Sequence, residues 1–326
     1  MAKYIPKSLK PILKKIIFPI PKYLSRNIIR LDQNQIDIIR KKLLENYYVG
    51  WRKSSNYSQE NFNSDLDVHL IGRLESDRRE IIPWLDNSKS LNGQKILEIG
   101  CGTGSSSIAL GEQNAEVTGI DIDQGSIEVA KEKAKVYNLK IKFICDNSNK
   151  LKEFFKKGTF DHIIFFASLE HMTLEERLNS LSDAWGLLNK GGLLTVIETP
   201  NRLWYFDGHT SMMPFYHWLP DDLAFKYSKF SKRQNFNNLY KNFNDKELVL
   251  SFLRRGRGFS FHEFELAISK VENLEVISSL SEFQGLRYDL RVSSLDRDYK
   301  KLLKRINKNI HQAFFDKFLY LTIRKT

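Results

Sequence analysis

The chain has 326 residues and a formal net charge of +12, with 41% hydrophobic, 12% aromatic and 28% charged residues. That composition holds enough apolar material for a sizeable core and excludes wholesale disorder; no apolar run approaches the roughly 18–20 residues of a bilayer-spanning helix, which excludes an integral membrane protein. The length fits one large catalytic domain with insertions.

Residues 1–30 carry eight bases and no acid. Their lysines interleave with Ile12, Leu13, Ile16, Ile17, Phe18 and Ile20, a mixture that suits the headgroup layer of an anionic membrane; a solvated basic tail is the alternative. Pro11, Pro19 and Pro21 forbid one long helix, and the apolar run Ile16–Ile20 is short with no small-residue cleavage site, so no signal peptide is expected. Residues 285–326 carry eleven bases against four acids, which leaves residues 31–284 at −3. The body is not basic, and the terminal bases alternate with aliphatic rather than aromatic residues, so nucleic acid is a disfavoured partner. The two cysteines, Cys101 and Cys145, have no zinc or disulfide spacing; a reducing, cytoplasmic location is expected, with peripheral contact at the inner membrane surface through residues 1–30.

Residues 31–93 read as helical and are expected to cover the mouth of a ligand site, with Tyr57, Phe62, His69 and Trp84 as lid residues. Residues 94–200 alternate β-rich runs with helical periods, the pattern of a βαβ sheet covered on both faces. The strands are Lys95 to Cys101, Ala115 to Asp121, Ile141 to Asp146, Asp161 to Ser168 and Leu193 to Thr199. One helix shows an apolar stripe of Ile127, Ala130, Ala134 and Tyr137. Another shows Leu178, Leu181, Trp185 and Leu188, opened by the Thr173–Glu176 capping pair and stopped at Gly191-Gly192.

The first strand runs into Gly100-Cys101-Gly102-Thr103-Gly104, then serines at a helix start, a loop that lets a ligand approach main-chain N–H groups. A nicotinamide loop would need Gly or Ala at position 105, where Ser stands. At the tip of the second strand, Asp121 is placed to accept hydrogen bonds from two ribose hydroxyls. Loop and carboxylate together point to an adenosine ligand.

LEIGCGTGSS (Leu97 to Ser106), TGIDID (Thr118 to Asp123), CDN (Cys145 to Asn147), FDHIIFFASLEHM (Phe160 to Met172) and LNKGGLLTVIETPNR (Leu188 to Arg202) occur in the order of the class I S-adenosylmethionine-dependent methyltransferases, which residues 94–202 resemble. The resemblance implies a Rossmann-like, doubly wound, mostly parallel seven-stranded α/β sheet whose last strand runs antiparallel between the fifth and sixth. It implies S-adenosyl-L-methionine as cofactor and S-adenosyl-L-homocysteine as product. Glu98 and the loop glycines Gly100, Gly102 and Gly104 would hold the methionine part, with Ser168 at the end of the fourth strand. Asp121 would hold the ribose, Ile122 would pack on the adenine, and Asp146 would bond its amino group with Asn147 beside it. Three alternatives stand beside these roles: Glu98 satisfying backbone donors, Ile122 as ordinary core, and Asp146 as a helix N-cap. His171 lies where such enzymes face their acceptor and is the first candidate base; a histidine that merely shapes the pocket is the alternative. Some ubiquinone-pathway O-methyltransferases carry E-x-x-E-H here with a divalent metal. This chain has Ala167 in place of the first glutamate and keeps only Glu170 and His171, so no metal is expected.

Residues 201–258 read as an insertion that chooses the acceptor. Nine aromatics fall within residues 201–230, threaded with Asp207, His209, Thr210, His217, Asp221 and Asp222, the make-up of a small-molecule pocket or of a second small core. His209 is a second candidate base. His209 and His217 are too far apart to pair on one helical face, and Arg254, Arg255 and Arg257 form either an anion grip or an exposed basic hinge. Residues 259–326 are expected to complete the sheet, with helical pattern over Phe261 to Val271 and Tyr299 to Ile310 and strands at Leu274 to Leu280 and Phe318 to Arg324.

These features point to methyl transfer onto a small molecule, sugar or lipid-linked acceptor, with oxygen favoured by the histidines. An RNA methyltransferase and a non-catalytic membrane-surface protein retaining the cofactor fold are the rival classes.

Overall fold

Apolar side chains that alternate sides along short β-rich runs need cover on both faces, and the helices between the runs supply it. In the computed structural model, which describes residues 28–49, 58–237 and 244–326, the strands are β1 (Lys95–Ile99), β2 (Glu116–Asp121), β3 (Lys142–Cys145), β4 (Phe160–Phe166), β5 (Leu188–Pro200), β6 (Glu275–Ser279) and β7 (Phe318–Arg324). They form one seven-stranded sheet in the order β3-β2-β1-β4-β5-β7-β6. β1 to β5 pair in parallel, while β7 runs antiparallel to both β5 and β6. This is the Rossmann-like methyltransferase architecture. Residues 1–27, most of the basic N-terminal segment, and Tyr57 lie outside the described residues.

Strand alternation divides the core. Leu97, Ile163 and Leu194 point to one face, under the helices Leu174–Leu187 and Phe261–Ala267. Ile96, Ile164 and Ile197 point to the other, under the N-terminal helices and the helix Gln124–Val136. Each such side chain contributes on the order of 1.5–3 kcal/mol by leaving water.

The Gln124–Val136 helix starts where Asp123 accepts the Ser126 N–H, and it buries Ile127, Ala130 and Ala134 as its stripe requires. The next long helix has its Thr173–Glu176 capping box but ends at Leu187, before the expected glycine stop. Leu188 turns extended, buries its side chain and pairs with Phe160, so Gly191 and Gly192 lie inside β5. The basic helix near the C-terminus runs over Ser294–Ile306, earlier than the expected Tyr299 to Ile310, because Ser293 caps it by accepting the Asp296 N–H.

Residues 59–88 wind continuously, with two wider π-turns at Val68–Gly72 and Asp77–Ile81. Trp84 on this run is no lid residue. It is fully buried, donates Nε1–H to Ser278 Oγ at 2.8 Å and sets its ring edge against Tyr320. The stretch after β5 builds a small core of its own from Met213, Tyr216, Phe225, Phe236 and Phe252. Several of its aromatics are therefore spent on packing rather than on a pocket wall. Among the described residues, no helix is long and apolar enough to cross a membrane.

Candidate active site

The carboxyl ends of β1, β2 and β4 converge on the glycine loop. A Cβ at Gly100 (φ +82) would lie 2.4 Å from Ser168 Cβ, so only glycine lets the loop touch the fourth-strand tip. At Gly102 (φ +48) an added Cβ meets nothing within 4 Å. That hollow borders the Asp121 carboxylate, whose Oδ2 accepts the Gly102 N–H at 2.9 Å while Oδ1 accepts the Asp123 N–H at 2.9 Å. Ile122, next along, is 58% exposed, unlike an ordinary core isoleucine. Ser168 is buried, and its Oγ has no hydrogen-bond partner among the described residues. A hollow, an uncovered apolar face and an orphaned hydroxyl on one rim fit a nucleoside-bearing cofactor.

Glu98 is fully buried beneath this rim, and its two oxygens accept from the Ser106 and Ser107 hydroxyls. Burial raises its pKa against the pull of those hydroxyls. The carboxylate thereby ties β1 to the helix that follows the loop. Asp146 Oδ1 accepts the Asn147 N–H at 2.7 Å and lies 3.1 Å from Lys150 Nζ, and the two hold its pKa below the usual carboxylate range. Asn147, not Asp146, caps the turn Ser148–Lys150, and it also donates to Glu176 at 3.3 Å.

Two non-glycine residues lie in the left-handed region, Glu198 (φ +60) inside β5, where its register with β7 shifts, and Ala167 (φ +44) just past β4. Glu170 follows, fully buried, with Oε1 unpartnered among the described residues and Oε2 only 3.5 Å from the Thr199 hydroxyl. Burial, helped by the nearby Glu198 charge, pushes its pKa up to about 8. His171 Nδ1 lies 2.8 Å from the Arg254 carbonyl. A carbonyl only accepts, so Nδ1 carries the proton and Nε2, 3.8 Å from Glu170 Oε1, offers its lone pair. Burial lowers the His171 pKa. His209 stands with its ring 5.7 Å from that of His171; burial and then His171 push its pKa down to about 4.

The two histidine candidates therefore meet, though 38 positions separate them in the chain. With Glu170 they place three ligand atoms within 4.8 Å of one another, a donor set suited to a divalent cation. The orphaned Oε1 of Glu170 fits such an ion.

His209 is held by residues that sequence reasoning did not single out as its support. Asp207 is buried and accepts N–H groups from His209 (2.8 Å), Thr210 (2.9 Å) and Ser211 (2.6 Å), plus the Ser211 hydroxyl (2.8 Å). Burial alone would raise its pKa, but His217, 3.2 Å away, and these donors hold it well below the usual range. His217 accepts the Gly258 N–H on Nδ1 at 3.0 Å, so it is a strut of the loop. At Gly256 (φ +129) a Cβ would lie 2.4 Å from Thr210 Oγ1 and 3.2 Å from His209 Nδ1.

Two of the three clustered arginines are engaged internally, which fits neither an anion grip nor an exposed basic hinge. Arg254 pairs with Glu176 at 2.6 Å. Arg257 is buried, pairs with Asp221 at 3.1 Å, donates to the Tyr216 carbonyl at 2.9 Å and lies over the Tyr216 ring. Lys133 and Glu198 also went unremarked in the sequence. Lys133 shares a helix face with Ala130 and Ala134, a signal that it is buried. It donates to the His69 carbonyl in the first π-turn (2.7 Å) and to Ser105 Oγ (3.0 Å), and burial pushes its pKa down to about 7. Glu198 closes an apolar strand run, and nothing in the sequence marks its backbone.

Residues 96–192 match the family described as "Methyltransferase domain". Residues 96–192 are thus similar to a methyltransferase domain, and the strand order, with β7 antiparallel between β5 and β6, agrees with the class I S-adenosylmethionine-dependent fold. The chain is 31% identical over 135 residues to the ubiquinone biosynthesis O-methyltransferase of Coxiella burnetii, covering 41% of this chain and 53% of that one. It is 34% identical over 121 residues to the protein of the same name from Nitrosococcus oceani, covering 37% and 50%. The chain spans about half the length of these curated relatives. Among solved structures, a SAM-dependent methyltransferase from Methanosarcina mazei aligns at TM-score 0.40 and 22% identity over 60% of this chain and 85% of that one.

Proposed function

We propose that the protein transfers the methyl group of S-adenosyl-L-methionine to an oxygen of a small-molecule or lipid-linked acceptor, with His171 as the base. The observation that carries this reading is the hydrogen bond from His171 Nδ1 to the Arg254 carbonyl, which leaves Nε2 unprotonated at the strand tips. The cofactor supplies a methyl group already activated on a sulfonium. The chain aligns the acceptor, excludes water and removes its proton. Asp121 and the Gly102 hollow would seat the adenosine, with Ile122 against the base and Asp146 and Asn147 at its edge. Gly100 and Ser168 would bound the methionine end, and Gly104 would bring the loop onto its helix. Glu98 positions the loop through Ser106 and Ser107. His171 Nε2 would take the acceptor's proton as its oxygen bonds to the methyl carbon, with the sulfonium–methyl bond breaking to leave S-adenosyl-L-homocysteine. His209 walls the acceptor opposite His171. In a second reading, favoured by the orphaned Glu170 Oε1, the side chains of Glu170, His171 and His209 would hold a divalent cation, which when bound would supply a Lewis acid for the acceptor hydroxyl.

The test is incubation of the protein and an Asp121→Ala control with methyl-labelled S-adenosylmethionine and cell extract separated into polar metabolites, lipids, polysaccharide, RNA and protein. Label is expected in the metabolite or lipid fraction and absent with the control. Label in RNA would favour the rival enzyme class, and none anywhere despite cofactor binding would favour the non-catalytic one.

A further inference from the structure

The segment between β6 and β7 begins at the end of β6 and returns at the start of β7, so it lies along the carboxyl edge of the sheet where the active site opens. Within it, the helix Ser294–Ile306 buries none of its residues. A narrow inward edge holds it down. Tyr299 donates its hydroxyl to the Leu203 carbonyl at 2.8 Å and sets its ring against Trp204 and Tyr205, Tyr205 reaches back to Asp296 at 3.0 Å, and Leu303 packs on the main core.

A second apolar edge, Leu295 and the positions 7 and 11 further on, is largely uncovered among the described residues. Leu295, Leu302 and Ile306 share one stripe and are 63%, 51% and 74% exposed, and Leu286, just upstream, is 68% exposed. On the solvent side this stripe is flanked by Lys301 and Arg305, both exposed. Residues 285–308 hold eight bases against three acids, while residues 31–284 sum to −3. Arg287 and Arg291 reach across to Glu80 on the N-terminal helical run, and Tyr205 and Leu203 lie just after β5, so the segment bridges the two layers that flank the site.

We propose that this face, centred on Leu295, Leu302 and Ile306 and rimmed by Lys301 and Arg305, is a docking surface for an anionic lipid bilayer. Aliphatic side chains enter the acyl boundary while the bases meet the headgroups, the division of labour of an interfacial amphipathic helix. The charge argues against a second copy of this chain as the occupant, because two such faces would bring like charges together. The docking itself does not depend on methyl transfer.

The full-length protein is sedimented with vesicles of phosphatidylcholine alone and of phosphatidylcholine with phosphatidylglycerol, at low and high salt. Binding is expected to the anionic vesicles and to weaken with salt. A Leu295→Ser/Leu302→Ser/Ile306→Ser variant should bind at least about tenfold more weakly, and Lys301→Glu/Arg305→Glu should fall by a similar factor. Both variants alter exposed positions, so unchanged circular dichroism and calorimetric cofactor affinity are expected, and the readout separates from that of methyl transfer. Absence of binding by the wild type would overturn the proposal. So would a triple serine variant that binds as the wild type does, which would assign binding to residues 1–30. A triple variant that instead splits a wild-type dimer, with no vesicle binding, would assign the face to self-association.

Discussion

Substitution of Asp207 by Asn tests how the candidate site is held together. Asparagine keeps the shape of the side chain and one acceptor oxygen. If that oxygen replaces Oδ1, the His209 and Thr210 N–H groups keep their partner, but an NH2 group then faces the Ser211 N–H and hydroxyl, now 2.6 and 2.8 Å from Oδ2. Two donors in a buried loop lose a charged acceptor, at about 1–2 kcal/mol each, and the expected loss for the loop is about 2–4 kcal/mol. The carboxyl pKa is depressed in the folded protein, so its stabilisation is complete above the ordinary carboxylate value and is lost as pH falls through the lower folded value. The gap between wild type and Asp207→Asn should therefore be full at pH 7 and close only in strong acid. Hydrogen exchange reads it locally: the Thr210 and Ser211 amides should exchange about 30- to 700-fold faster in the variant, the equivalent of that energy. Urea unfolding and turnover complete the assay, since a loosened loop misplaces His209. Exchange and stability within about 0.5 kcal/mol of wild type would refute the reasoning.

Asp121→Ala should weaken cofactor binding by about 1–3 kcal/mol in calorimetry, and unchanged affinity would remove its assigned role. Gly102→Ala places a methyl in the hollow, so it should reduce cofactor affinity at least about tenfold while costing the cofactor-free protein only about 1 kcal/mol for its positive φ. Because burial lowers the His171 pKa, the acid limb of kcat should lie below the ordinary histidine value of about 6.5; His171→Ala should remove that limb and lower kcat more than it raises KM. Manganese binding followed by electron paramagnetic resonance should be lost in both Glu170→Gln and His209→Ala; retention in both would leave the three side chains to proton transfer alone.

The sheet was legible because its strands are short apolar runs, the first three ended by glycine or a carboxylate, and because side chains two apart share a face. Asp121 was legible for the same reason: a strand tip beside a glycine loop can be counted to. The Thr173–Glu176 capping box is local and was equally readable. What escaped depends on where loops travel. Nothing in the residues between His171 and His209 tells that their rings meet, and the web around Asp207 is visible only once His217 and Gly258 have come back to it. The early end of the Leu174–Leu187 helix has a similar origin, since tertiary pairing of Leu188 with Phe160 overrode a strong local glycine signal. The aromatics after β5 read equally as pocket or core, and volume rather than pattern decided for packing.

In this sheet, β5 and β6 share no ladder; each reaches the other only through β7, which follows both in the chain. Before β7 docks, the β5 edge from Leu193 to Val196 is an open apolar template on which foreign strands can pair, and closing it requires joining partners more than a hundred residues apart. The insertion, residues 201–258, continues from the end of that strand. Assembly of the two halves is thus a late, long-range event, and the interval before it is when the chain is most exposed to aggregation and most in need of a chaperone.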